Sequence, residues 1–251
     1  MSALHLAHPS AIPFESLDPL LGRTVRLDAE SLRRKLVAGR RGGYCFEQNG
    51  LLLLVLRALG FQVTPMAARV RWMAPEDAPR APLSHMLLKV DLPQGPFLAD
   101  VGFGGQSPTA PLRLEPDVEQ ATPHGVYRVI LGPGGHDLLL RLPNRWQSMY
   151  RFQIEPQGQR DYEVFNWFTS THPDSRFVQN LIAAKVSGER RLNLFNDELT
   201  IYWPDGRAET RRLDGPRAAH AALADEFGLE VELAELERVW ERLPKAGGET
   251  S

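Results

Sequence analysis

The stretch that most constrains this chain runs RGGYCFEQNGLLLLVLRALG, from Arg41 to Gly60. Its second half is an apolar block far shorter than the roughly 20 residues that span a bilayer. It suits a buried helix that stops at Gly60, where a glycine can close the last turn. Its first half holds the only cysteine of the chain, just after two glycines. Cys45 is thereby placed in the first turn of that helix. A lone cysteine reads most simply as a small buried hydrophobe. This position offers a second reading. Gly42 and Gly43 permit backbone angles closed to other residues, so the chain can turn sharply into the helix. Unpaired N–H groups and the helix dipole then favour an anion at the helix start. Such settings, above all beside a histidinium, turn thiols into nucleophilic thiolates. The same N–H groups can hold an oxyanion formed when sulfur attacks a carbonyl.

The texture changes on both sides of this block. Upstream, LDAESLRRKLVAGR puts Leu27, Leu32, Leu36 and Val37 on one helical face, with Asp28 or Ser31 as the cap. From Phe61 onward, FQVTPMAARVRW, HMLLKVDL, PFLADVGF, YRVIL and MYRFQIEP are short strand-like runs separated by turns such as PQGP and GPGG. They predict a small barrel or a strongly curved antiparallel sheet. Beyond DYEVFNWFTSTHPDSRF come further strand-like pieces, including NDELTIYW and AETRRLD around a PDG turn. The end is helical again: PRAAHAALADEF stops at Gly228, and VELAELERVWERL carries a stripe of Leu233, Leu236, Val239, Trp240 and Leu243. Helices, strands and a mixed tail in blocks argue for an α+β fold and against alternating βαβ units. The expected division is a helical domain over 1–60, a β-barrel domain over 61–168 and an α/β domain over 169–251.

A cysteine nucleophile needs a base, and the base needs an orienting group. The chain has seven histidines. His5 and His8 lie near the start, His124 and His136 in Gly/Pro-rich turns, His172 in a THPDS loop and His220 on a polar helical stretch, so each is expected at the surface. His85 differs, because it opens the strand HMLLKVDL while the next strand, PFLAD, ends at Asp100. A tight turn at PQGP folds the two into a hairpin. With Pro93 opposite Pro96, counting puts His85 and Asp100 on one face of the hairpin. A slip of one residue would separate them.

Composition narrows the setting. The formal net charge is -2 with the signs interspersed, so no basic stripe points to nucleic acid. One cysteine cannot form an intrachain disulfide, which suits a reducing compartment. MSALHLAHPSAIPF lacks the charged-then-apolar layout of a signal peptide, and a cytoplasmic location is expected.

RGGYCFEQN, Ser84-His85, DVGFG at 100–104, AIPFESLD at 11–18 and FTSTHPDSRF together resemble the arylamine N-acetyltransferase family, in order and from about His8 to the terminal helices. The resemblance implies a helical first domain, an antiparallel β-barrel, an α/β lid and a papain-like Cys-His-Asp core. It makes Cys45, His85 and Asp100 the catalytic triad and acetyl-coenzyme A the acyl donor, with an arylamine, hydrazine or arylhydroxylamine as acceptor and no metal. Phe14, Val70 and Phe177 match pocket-lining positions, as does Phe103, set between two glycines. Ser84 and Gly104 join them at the substrate, Gly105 is a further place for ligand backbone contact, and the THPDS loop is a coenzyme A contact. Arg41 is structural, paired with Glu15 and Asp18. One departure stands out. Family members carry further helical sequence before the segment matching HLAHPSAIPFE, so either the start is misassigned or opening helices are lost, and an apolar face needs another cover.

The implied reaction is ping-pong, through an acetyl-cysteine. Rival readings are an amide synthase of natural-product assembly in the same family, a papain-like peptidase or transglutaminase, and a coenzyme A binder without catalysis. The partners implied are the two small molecules, and a homodimer is the assembly considered.

Overall fold

The computed structural model describes residues 1–75 and 78–245. The first lobe holds α1 (Ser2–Ala11), β1 (Phe14–Glu15), α2 (Leu17–Leu20), α3 (Ala29–Leu32) and α4 (Cys45–Ala58). Asp28 caps α3 by accepting the Ser31 N–H at 2.9 Å, and the last turns widen into a π-helix over Arg33–Ala38. The apolar block is α4, which buries Leu51, Leu52 and Leu56 and ends before Gly60 at φ +83°.

The β-texture after Phe61 forms β2 (Gln62–Val70), β3 (Leu83–Leu92), β4 (Gly95–Ala99), β5 (Leu112–Arg113), β6 (Glu119–Thr122), β7 (Gly125–Gly132), β8 (Gly135–Leu142) and β9 (Arg145–Phe152). They make one antiparallel, nearly closed barrel sheet in the order β5-β4-β3-β2-β9-β8-β7-β6. Its inner residues, among them Met66, Leu87, Tyr127, Met149 and Tyr150, are sealed from solvent. The β3–β4 hairpin pairs Leu92 with Gly95, not Pro93 with Pro96. That is a slip of two residues, which preserves side-chain parity.

The tail contains α5 (Gln159–Thr171), over a stretch assigned to no element in the sequence. It continues with α6 (Arg176–Gln179), β10 (Ile182–Ser187), β11 (Arg190–Phe195), β12 (Glu198–Tyr202), β13 (Ala208–Arg212), α7 (Pro216–Ala222) and α8 (Leu233–Trp240). The helical stretch from α7 ends at Gly228 with φ +70°, as the sequence predicts. α5 runs across the expected boundary at 168/169. The second sheet is β1-β10-β11-β12-β13, so two residues of the first lobe complete the sheet of the third. Phe14 pairs with Ala184 there and also bridges to Gly43 just ahead of α4. Arg191 on β11 donates to the carbonyls of Gly105, Ser107 and His124 and to the Tyr127 hydroxyl, which fastens the loop after Asp100 to the third lobe. Accordingly His124 is not a free surface residue: its ring bonds Thr109 and the Gly188 carbonyl.

Candidate active site

Cys45 is the first residue of α4 and is 3% exposed. The glycines before it act differently from the sequence expectation. Neither Gly42 nor Gly43 has a positive φ. They are needed for close approach, since a Cβ on Gly42 would meet the Pro13 carbonyl oxygen at 2.2 Å and one on Gly43 the Glu47 carboxylate at 2.6 Å. That carboxylate accepts the Tyr44 N–H at 3.2 Å, tying the helix start to its own third residue. It also accepts from Lys35 at 2.6 Å. Burial pushes the Glu47 carboxyl up to about 7, against the pull of Lys35.

His85 on β3 and Asp100 just past β4 meet across the hairpin, with Nε2 of the ring 2.8 Å from Oδ2. The observed register places Asp100 one step diagonal from His85, because Leu88 faces Ala99. The Cys45 thiol lies 3.5 Å from the Ser84 carbonyl and within hydrogen-bonding reach of the His85 ring. Burial works to lower the His85 pKa, but the Asp100 charge and hydrogen bond, with Cys45 adding to them, carry it up to about 10. Burial opposes ionisation of Asp100 as well. The His85 charge and hydrogen bonds from Asn49 and Gly102 overcome it and hold the carboxyl below its ordinary value.

Every lone pair of Asp100 that matters is engaged. Oδ1 accepts from Asn49 at 2.8 Å and from the Gly102 N–H at 2.9 Å, while Oδ2 accepts from the Tyr150 hydroxyl at 2.8 Å as well as from His85. Asn49 also accepts the Val101 N–H at 3.0 Å, and it stands four residues after Cys45 on the same helix face. The His85 ring sits between Phe103, edge-on at 5.2 Å, and Tyr150 at 4.9 Å.

Cys45 and His85 open on a cavity of about 530 Å³. Phe14, Val70, Ser84, Phe103, Gly104 and Phe177 all line it, as do Gly105 and two residues of the THPDS loop, Asp174 and Ser175. Phe177 packs against Tyr44 at 5.3 Å and Phe14 at 6.1 Å, which makes one wall aromatic. A second cavity of about 510 Å³ is lined by Arg69, Arg71 and Arg80 and shares only Val70 with the first among the described residues. It contains none of the Cys-His-Asp groups. Arg41 bonds Glu15 at 2.7 Å and Asp18 at 3.2 Å, as expected, and Lys35 joins the same cluster at 2.7 Å from Asp18.

Four participants escape the sequence reading. Asn49 and Glu47 stand in the quoted motif; i,i+4 spacing from Cys45 was the signal for Asn49, and the third helical position, where an acid caps the helix start, was the signal for Glu47. Tyr150 reaches the site only through the barrel closure and leaves no local trace. His5 is the largest correction. Far from the surface, it is 1% exposed, and its Nε2 accepts the Asp100 N–H at 3.1 Å. His8, half-buried, bonds Gln48 of α4 at 2.6 Å. Histidines three apart in a helix share a face, and that face is the one docked on the site.

A thiol at a helix start, a buried imidazole–carboxylate pair and a neighbouring aromatic-walled cavity are the parts of an acyl-transfer centre. A family model described as N-acetyltransferase matches residues 1–236, so the class is an acyltransferase. Arylamine N-acetyltransferases of Mycolicibacterium smegmatis and Escherichia coli are each 43% identical, over 234 and 235 residues, 92% of this chain in both cases and 85% and 82% of theirs. The structure of the Mycobacterium marinum arylamine N-acetyltransferase in complex with CoA superposes with a TM-score of 0.93 at 44% identity, covering 96% of this chain and 92% of that one. The chain belongs to the arylamine N-acetyltransferase family.

Proposed function

We propose that this chain moves an acetyl group from acetyl-coenzyme A to the nitrogen of an arylamine, hydrazine or arylhydroxylamine, with Cys45 as the carrier. The observation that carries the assignment of roles is the chain of contacts from the Cys45 thiol through His85 to Asp100, beside a cavity of about 530 Å³. In the first half-reaction the Cys45 thiolate attacks the thioester carbonyl carbon. The carbon–sulfur bond to coenzyme A breaks, and the His85 imidazolium gives its proton to the departing thiolate. In the second, the amine nitrogen attacks the acetyl-cysteine carbonyl, neutral His85 takes the nitrogen's proton, and the carbon–sulfur bond to Cys45 breaks. The starting thiolate–imidazolium pair is restored. Asp100 orients the ring and stabilises its charged form, the role of the acid in such triads.

Aromatic amines suit this chemistry because they are largely neutral near pH 7, whereas an alkyl amine is mostly ammonium and must first lose a proton. The Phe14, Val70, Phe103 and Phe177 side chains supply apolar contact for the acceptor ring and keep water from the acetyl-cysteine. In this reading a helical domain over 1–60 carries Cys45, a β-barrel domain over 61–168 carries His85 and Asp100, and an α/β lid spans 169–251, with α5 crossing the second boundary. No helix among the described residues is long and apolar enough to cross a membrane. A reducing compartment, the cytoplasm, fits a lone thiol used as nucleophile, and light scattering of the purified chain tests for a homodimer.

The deciding experiment is intact-mass analysis after mixing with acetyl-coenzyme A and no acceptor. One added acetyl group, absent in Cys45→Ala and removed by an arylamine, is the expected result. No adduct, or an adduct that survives in Cys45→Ala, overturns the assignment.

A further inference from the structure

The helix α1 does more than cover the first lobe. His5 reaches from it to the backbone of the triad acid, 95 residues away in sequence, and accepts the Asp100 N–H at 3.1 Å. That amide is buried, and an amide without an acceptor in such a place is costly, so the contact fixes where the Asp100 backbone can sit. Each atom of Asp100 near the chemistry is then specified: the carboxylate by Asn49, Gly102, Tyr150 and His85, and the main chain by His5.

The protonation state follows from the geometry. A ring nitrogen that accepts a hydrogen bond carries no proton, so in neutral His5 the proton resides on Nδ1. Nδ1 is buried and finds no hydrogen-bond partner among the described residues. A buried donor left unsatisfied is costly and calls for an explanation, and the hydrogen bond made on the other side of the ring supplies one. The titratable groups facing His5 are Asp100 from the end of β4 and His8 from its own helix, which burial keeps neutral in the same way. Burial outweighs the Asp100 attraction and carries His5 down to about 4, so the ring stays neutral and able to accept throughout the working range.

We propose that His5 is a positioning residue of the acetyl-transfer reaction, a neutral imidazole that pins the Asp100 amide and so sets the aim of Asp100 at His85. The inference rests on the triad assignment above. His5 is not among the residues that line the cavity beside Cys45, and it acts through Asp100. Protonation would present an N–H to an N–H, so acid breaks the contact. α1 is thereby a functional part of the site.

The test compares His5→Gln, which offers a side-chain oxygen where Nε2 stands, with His5→Phe, which keeps the ring volume and removes the acceptor. Single-turnover acetylation of Cys45 by acetyl-coenzyme A is followed by mass spectrometry below the melting temperature of each variant. His5→Phe is expected to acetylate roughly tenfold more slowly at saturating acetyl-coenzyme A, with half-saturation unchanged, and His5→Gln within about twofold of native. A folded His5→Phe with the native rate, or a His5→Gln as slow as His5→Phe, overturns the proposal. Should His5→Phe not fold, nitrogen NMR of the native protein labelled at histidine decides. His5 must appear neutral and protonated at Nδ1 from pH 5.5 to 8, and an imidazolium or an Nε2-protonated ring there overturns it. Failure of the triad reading itself is seen separately, as absence of any acetyl adduct in the native chain.

Discussion

At the scale of single residues, the site depends on a charge that burial alone would forbid. His85 is 2% exposed, and a lone imidazole so placed would be neutral. Asp100 reverses this and carries the ring up to about 10. Because the folded value lies above the unfolded value near 6.5, this group's contribution to stability is complete below pH 6.5. It declines as pH rises toward 10. Asp100→Asn removes the charge while nearly keeping the shape. The expected results are acetyl transfer lowered roughly 10³–10⁴-fold and a His85 ring that is neutral at pH 7, read by NMR of the labelled ring. An imidazolium persisting at pH 7 in that variant would show that Asp100 is not what holds the proton. The meeting of Cys45, His85 and Asp100 was legible because each sits in a short, ordered motif. Tyr150 was not, since a hydroxyl that arrives from a strand 50 residues on leaves no local signal.

At the scale of elements, parity mattered more than exact register. Counting from a Pro93–Pro96 pair misplaces the hairpin by two residues, yet the two side chains still share a face, since strand side chains alternate with period two. The surface expectation for His5 fails because closeness to a terminus does not set burial, whereas the helical spacing of HLAHP turns His5 and His8 to one face, the face packed on the site. The loop that follows β4 must then touch α4 backbone to backbone. A Cβ on Gly102 would lie 2.7 Å from the Asn49 amide and 2.8 Å from the Cys45 Cα. Gly102→Ala is therefore expected to force Asp100 and Cys45 apart, costing about 1–3 kcal/mol of stability. A larger proportional loss of Cys45 acetylation should accompany it, measured side by side with the thermal midpoint. A variant that melts as native and acetylates as native would mean the loop yields without moving the triad.

At the scale of the whole molecule, the catalytic helix is held by charges as well as by core. Glu15 lies on β1, which pairs with β10 of the third lobe, and Arg41 lies on the segment entering α4. The Arg41–Glu15–Asp18–Lys35–Glu47 cluster therefore joins the third-lobe sheet, the first-lobe helices and the start of α4 through two cations and three carboxylates. The Glu15 side chain has no exposure and the Arg41 side chain has 20%, so the pair is close to buried. Breaking such a pair from one side strands the other charge, at a cost of about 3–5 kcal/mol. For a chain of this length that corresponds to a midpoint lowered by roughly 6–20 °C. Arg41→Ala is expected to show that loss and a reduced soluble yield, while the surviving folded fraction still takes an acetyl group on Cys45, because no triad atom touches Arg41. Arg41→Lys should recover part of the midpoint by restoring charge without the two-pronged geometry of a guanidinium. If Arg41→Ala instead kept its midpoint and lost acetylation, the cluster would be acting on the chemistry and not on the attachment of the lobes.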